Sequence, residues 1–186
     1  TFSQGEPQSS LRGWGQAEYE NEGRIVITSL APFDLYNIYF PNGGSGEERH
    51  LFKQKFLADL NGHLKEKMSK GREVIVVGDY NVAYLDIDVH DPVRLSKGSG
   101  FLPEERAWFK SFLDLGFVDT YRHFFPHEKD RYTWWDYRTL ARISNRGWRI
   151  DHICITKGLL KNLKSVAILD DTEGSDHCPV KAEFEF

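Results

Sequence analysis

A chain of 186 residues, 40% hydrophobic and 28% charged, suits a single domain spanning 1–186 with a sizeable core. No apolar run approaches the ~20 residues of a membrane span, no secretory signal pattern opens the chain, and two cysteines are too few for a disulfide framework. Net charge of −4 argues against a globally basic nucleic-acid coat; a cytoplasmic protein with reduced thiols at Cys154 and Cys178 is expected. Thr1 is not an initiator Met, which reads as a processed or truncated N-terminus.

In chain order, Arg24–Leu30 and Asp34–Phe40 read as two strands joined by Ala31-Pro32-Phe33. After Pro41-Asn42-Gly43-Gly44 the spacing predicts a helix of about twenty residues. Phe52, Phe56, Leu60, Leu64 and Met68 recur every four positions and Gly71 follows the end. That stripe is expected to be core packing and nothing more. Glu73–Val77 is a short, continuously apolar strand, expected to be buried on both faces.

A second helix is predicted from Pro103 to about Leu115, with Pro in its first turn and Gly116 at its end. Trp108, Phe109, Phe112 and Leu113 would form its inner face. Strands follow around Tyr132–Trp135, Arg149–Thr156, Ser165–Leu169 and Cys178–Phe186, the last alternating as a half-buried strand does. Strands outnumber helices, so a two-sheet α/β sandwich with helices outside is the natural architecture.

Charge is unevenly spread. From Lys129 to Arg149 six basic residues stand against two acidic ones, a local +4 that leaves −8 elsewhere. Three of the five tryptophans lie in the same stretch. Basic residues interleaved with aromatics suit a surface that binds a polyanion and touches its bases or sugars. A solvated, aromatic-rich loop over the core would read the same way.

Three polar clusters stand at strand ends, where a rigid scaffold presents side chains to ligands. Gly78-Asp79-Tyr80-Asn81 offers a carboxylate and a carboxamide after the buried strand, though an Asx turn would account for it too. Gly174-Ser175-Asp176-His177-Cys178-Pro179 places an acid and an imidazole side by side, pointing in different directions. Asn145-Arg146-Gly147-Trp148-Arg149-Ile150-Asp151-His152 sets Asp151 at the edge of an apolar strand, where a carboxylate needs a partner. A histidine from another strand end is one candidate, because a carboxylate favours the charged imidazole. Arg149 is another.

Taken together, these strings resemble the exonuclease III/AP endonuclease family. Gly78–Val82, Tyr132–Trp135, Asn145–Asp151 and Gly174–Pro179 occur in that family's order, as do Tyr39-Phe40-Pro41-Asn42, Asp86-Ile87-Asp88 and Gly100–Arg106. The similarity covers Gly23 to Phe186. The final Ser-Asp-His is shared across the wider endonuclease/exonuclease/phosphatase superfamily, whereas Tyr-Thr-Trp-Trp and Asn-x-Gly-Trp-Arg-Ile-Asp point to its DNA-repair branch.

The resemblance implies a four-layered α/β sandwich, two packed and mostly antiparallel sheets flanked by helices, here N-terminally incomplete. It implies a monomer that hydrolyses double-stranded DNA at abasic sites or 3′ ends, with no membrane partner. Asp79 would orient or deprotonate the attacking water, Asn81 would hold water and phosphate, and Tyr39 would contact the phosphate or the leaving oxygen. His177, paired with Asp151, would bind a phosphate oxygen. Mg²⁺, with Mn²⁺ as a substitute, would be drawn to a set comprising Asp79, Asn81, Asp176 and His177. Asn42 would help bind substrate, Trp134 and Trp148 would wall a pocket for an extruded abasic sugar, and Asp88 would support the arrangement. A hard, oxygen-rich donor set with no nearby Cys suits such a cation rather than zinc.

The match covers the C-terminal two-thirds of the family pattern. The family's N-terminal strands bring an Asn and a Glu, and the Glu is a principal metal ligand. Thr1-Phe2-Ser3 resembles a strand lying after both. The expectation is therefore that these 186 residues alone bind Mg²⁺ poorly and cleave abasic-site DNA slowly or not at all. Leu102 stands where many relatives have a capping Thr, and His152 where an aromatic is more usual. Two further readings remain: a lipid or inositol phosphatase built on the same polar core, and a catalytically inactive, DNA-binding fragment.

Overall fold

A computed structural model describes residues 1–186. Six strands form one sheet: β1 (Ser9–Arg12), β2 (Ile25–Ser29), β3 (Asp34–Ile38), β4 (Val74–Asp79), β5 (Phe117–Asp119) and, from later in the chain, Asp151–Thr156. Two short strands, β6 (Trp134–Trp135) and β7 (Gly147–Trp148), pair as a ribbon before that sixth strand, which is β8. The order across the sheet is β1-β2-β3-β4-β8-β5. A second sheet pairs β9 (Leu163–Ile168) with β10 (Val180–Phe184). The helices are α1 (Ala17–Glu20), α2 (Glu47–Ser69), α3 (Pro92–Leu95), α4 (Pro103–Asp114) and α5 (Thr120–Phe124).

The apolar rhythm of the two long helices places them. β3 and β4 pair in parallel, which requires a crossover connection, and α2 is that crossover. Phe56, Leu57, Leu60 and Leu64 of α2 and Phe109 and Phe112 of α4 have no exposed surface. They pack on Tyr36, Ile38, Val74 and Val76 of the sheet. Trp108 of α4 donates its indole N–H to the Leu57 carbonyl at 2.8 Å, tying the two helices together. On the opposite face Ile75 and Ile155 pack with Leu159 and Leu163, and with Ala182 and Phe184 of β10. The chain is thus a mixed α/β fold, helices on one side of the large sheet and a small sheet on the other.

The long elements match their sequence reading. The strand expected over Tyr132–Trp135 is regular only at β6, yet the whole string is a central spacer. Thr133 accepts at its hydroxyl from the Ile150 and Asp151 N–H groups, and its carbonyl accepts from Cys178 N–H. Trp135 N–H bonds the Asp176 carbonyl at 2.9 Å. The β8 entrance and the Asp176–Cys178 segment are therefore both moored to one short aromatic string.

Thr1-Phe2-Ser3, expected to resemble a strand, is not one; Phe2 is fully exposed and the edge strand forms at Ser9–Arg12 instead. All four β1 residues are exposed. Backbone pairing to β2 alone holds them, and that leaves no apolar alternation to read.

Candidate active site

The site lies where β3 and β4 end and β8 begins. Gly78 permits this approach: its φ is 134°, and a Cβ there would stand 2.0 Å from the Ile38 carbonyl oxygen. Immediately afterwards Phe40 N–H bonds the Asp79 carbonyl at 2.9 Å, which brings Tyr39 and Asn42 beside Asp79. Asp79 and Asp151 are direct partners across the antiparallel β4–β8 pair, so their side chains project from the same face.

Asn81 follows in a left-handed conformation, φ 50°. Its backbone N–H bonds one Asp79 carboxylate oxygen at 2.8 Å, and its amide nitrogen donates to the other at 3.1 Å and to the Phe40 carbonyl at 3.0 Å. Its amide oxygen accepts from the Asn42 side chain at 2.9 Å. The Asx turn is real, and it aims Asp79 and links it to Asn42.

His177 Nδ1 lies 2.8 Å from an Asp151 carboxylate oxygen. Because that carboxylate can only accept while ionised, Nδ1 carries the proton. Of the two partners the sequence left open for Asp151, the histidine is the one engaged. Arg149 turns away and is buried between Asp88 and Asp119, at 2.8 and 2.7 Å. Asp176 accepts from the Trp134 indole N–H at 3.1 Å.

Tyr39, Asn42, Asp79, Asn81, Asp176 and His177 line one cleft of about 280 Å³, with Trp134 and Trp148 among its walls. The two indoles meet edge to face, centroids 6.4 Å apart. Asp151 reaches this group through His177. Asp88 does not line the cleft: it is fully buried, bonded to Arg149 and Arg122. Its carbonyl accepts the Arg149 N–H at 2.8 Å, so it braces the approach to β8. Ser99, Gly100 and Ile150 also line the cleft and were not singled out from sequence. Gly100 lies within a matched string, but a backbone wall leaves no chemical signature in the residue type.

The electrostatics follow from these contacts. Burial, reinforced by the Asp151 charge, pushes the Asp79 carboxyl up to about 7. Burial would push the His177 imidazole down, but the hydrogen bond and charge of Asp151 outweigh it and hold it above its ordinary value. Burial likewise opposes ionisation of Asp176, yet the Trp134 N–H keeps it below the usual carboxylate value. The cleft therefore joins a proton-hungry carboxylate to an imidazole biased toward its charged form.

A hard divalent cation fits this donor set. Asp79 beside Asp151 is negative charge short of a counter-charge, and Asp176 opens on the same cleft. No group of three or more His, Cys, Asp or Glu side chains is arranged to hold a metal ion. An ion bound here would have to rest on one or two carboxylates, with water and phosphate completing its shell.

The sequence profile of the Endonuclease/Exonuclease/phosphatase family matches residues 6–177. An exodeoxyribonuclease of Bacillus subtilis is 36% identical over 97% of this chain and 71% of its own length. A DNA-(apurinic or apyrimidinic site) endonuclease of Dictyostelium discoideum is 38% identical over 94% of this chain and 49% of its own. Among solved structures, a Neisseria 3′ phosphatase bound to a product DNA hairpin superposes with a TM-score of 0.91. It is 29% identical, with 99% of this chain and 73% of that one covered. This chain thus spans from about half to nearly three quarters of the length of these proteins.

Proposed function

The chain belongs to the endonuclease/exonuclease/phosphatase family, and we propose that it is a DNA-repair phosphodiesterase of the exonuclease III/AP endonuclease kind. Relatives named as exodeoxyribonucleases and AP endonucleases support the nuclease assignment. The reading covers incision 5′ to abasic sites, 3′→5′ exonuclease action and trimming of 3′ phosphates on duplex DNA. It is carried by one observation: side chains from four separated stretches of chain converge on a single cleft between two tryptophans.

Hydrolysis needs a water in line with the leaving oxygen and positive charge on the phosphoryl oxygens. Asp79, at about 7, is matched to accept the proton of the attacking water near neutral pH. Water oxygen bonds to phosphorus, the bond to the leaving oxygen breaks, and Tyr39 contacts that oxygen from the rim. Asn81 has its amide occupied by Asp79, Phe40 and Asn42, so it acts chiefly by aiming Asp79. His177, proton-bearing at the Asp151 side, presents its other nitrogen to a phosphate oxygen. A charged imidazole donates rather than ligates, which supports a role for His177 on the phosphate over one on a metal.

Asp79 and Asp176 would hold Mg²⁺, or Mn²⁺, and the ion would supply charge stabilisation to the phosphoryl oxygens. Weak metal affinity and slow turnover are expected, because no group of three or more His, Cys, Asp or Glu side chains is arranged to hold an ion. Trp134 and Trp148 flank space for a sugar lacking its base, the nucleotide cheapest to extrude from a stack. Two buried free cysteines suit the reducing, cytoplasmic setting read from the sequence.

The test is incision of a duplex oligonucleotide carrying one abasic analogue, with Mg²⁺ or with EDTA. Incision should occur in Mg²⁺ alone and vanish in Asp79→Asn. Binding of the duplex with no incision at any Mg²⁺ or Mn²⁺ concentration would instead favour a DNA-binding role.

A further inference from the structure

The buried face of α2 carries one charge. Lys53 has no exposed surface, although Phe56 and Leu57 beside it belong to the apolar core. Its ammonium donates to the backbone oxygen of Asn81 at 2.8 Å and pairs with Glu105 of α4, itself fully buried. The second Glu105 oxygen accepts the N–H groups of Gly100 and Leu102, at 2.7 and 3.0 Å. The Lys53 stem runs beneath the loop that carries Asn42: a Cβ added to Gly43 would lie 3.3 Å from its Cδ.

Stability alone does not call for this pair. Well-packed apolar side chains of similar volume usually do as well as a buried ion pair, or better. An apolar residue at position 53 could not, however, hold the Asn81 oxygen. Asn81 adopts a left-handed conformation that costs a non-glycine residue free energy and persists only where its surroundings enforce it. In that conformation its side chain engages Asp79 while its carbonyl faces Lys53. Through Glu105 the same cation is joined to Gly100, which lines the cleft and packs against the Asn81 carbonyl, where an added Cβ would lie 3.2 Å away.

We propose that Lys53, held by Glu105, is a positioning residue for hydrolysis. It locks the Asn81 peptide in its left-handed conformation and so fixes both the aim of Asp79 and the Gly100 wall. The proposal rests on the nuclease reading for its effect on rate, but its structural half stands apart from that reading.

Lys53→Met alone would strand a buried carboxylate, so the informative variant is Lys53→Met/Glu105→Gln. Met keeps an unbranched stem, and Gln keeps an oxygen for the Gly100 and Leu102 N–H groups. Amide hydrogen exchange at Asn81 should accelerate about tenfold or more, while Ile155 in β8 stays unchanged as internal control. On the abasic-site duplex kcat should fall by about ten- to a hundredfold, as for a misaimed catalytic group, with KM moving less than about threefold. Unchanged exchange at Asn81 in the folded variant, or a kcat equal to that of the parent, overturns the proposal. Should the double variant fail to fold, Lys53→Leu/Glu105→Gln, which likewise strands no charge, is read for the same exchange rate, and no acceleration there also overturns it. A parent chain that cleaves no DNA removes the nuclease reading and leaves the exchange result to decide the positioning.

Discussion

Asp79 and His177 bias their protons in ways that can be measured separately. Asp79 moves from 3.8 to about 7 on folding, so the native state binds more protons than the unfolded state between those values. Its contribution to stability therefore falls as pH rises from about 4 to 7, then levels off. Asp79→Asn removes that cost and is expected to raise the melting temperature at pH 8 by a few degrees, about 1 kcal/mol, as active-site substitutions often do. A melting temperature at pH 8 lower than the parent's would contradict it. His177 shifts the same way, through a favourable contact rather than a burial cost. Held above its ordinary value by Asp151, it stabilises fully below about 6.5, and that contribution is lost as pH rises through its folded value. Incision should accordingly decline once His177 loses its charge, an alkaline limb that disappears in His177→Gln.

At the scale of elements, the helices and the buried strand were legible because their periodicity survives in the folded core. The short pieces were not. β5 and α5 span three and five residues, too few for any period to emerge. Lys53 escaped for a different reason. A lysine beside Phe52 reads as the solvent side of an amphipathic helix, and only Glu105, fifty-two positions later, makes burial tolerable. Polar strings at strand ends were readable as candidates for a single cleft, where the structure gathers them, because the strands that aim them are strongly apolar.

Two substitutions test how elements are joined. Gly78→Ala would drive a methyl into the Ile38 carbonyl at a backbone angle alanine avoids. A loss of about 3 kcal/mol or more is expected, read as a lowered urea midpoint. Arg149 draws Asp88 and Asp119 together in the buried interior, and its Nη1 also donates to His152 at 3.0 Å. Since a guanidinium only donates, His152 must accept at Nδ1 and give its Nε2 proton to the Val82 carbonyl. Arg149→Leu leaves Asp119 without its arginine and Asp88 with Arg122 alone, and should cost about 3–5 kcal/mol; a variant that melts with the parent would show the network to be dispensable.

Across the whole molecule, the basic and aromatic stretch from Lys129 to Arg149 divides into two populations, something its composition could not show. Arg149 is buried, Arg131 pairs with Asp170, and Arg142 bonds the carbonyls of Asp170, Thr172 and Ser175, stapling the loop that precedes Asp176. Arg138, by contrast, has a side chain 90% exposed, with only its Nε near Asp136 at 3.4 Å. Cations as exposed as this one are the ones that can release counterions from DNA. Arg138→Ala should weaken duplex binding alike for all sequences and reduce the salt slope of log K by about 1. An unchanged slope would place the DNA elsewhere on the surface.

Incision of a single-abasic-site duplex in Mg²⁺, compared between the parent chain and Asp79→Asn at matched protein and salt, is the decisive measurement. Slow, EDTA-sensitive cleavage 5′ to the lesion is expected from the parent and none from the variant, with the variant still folded and still binding the duplex. Cleavage by Asp79→Asn at the parental rate would remove Asp79 from the chemistry.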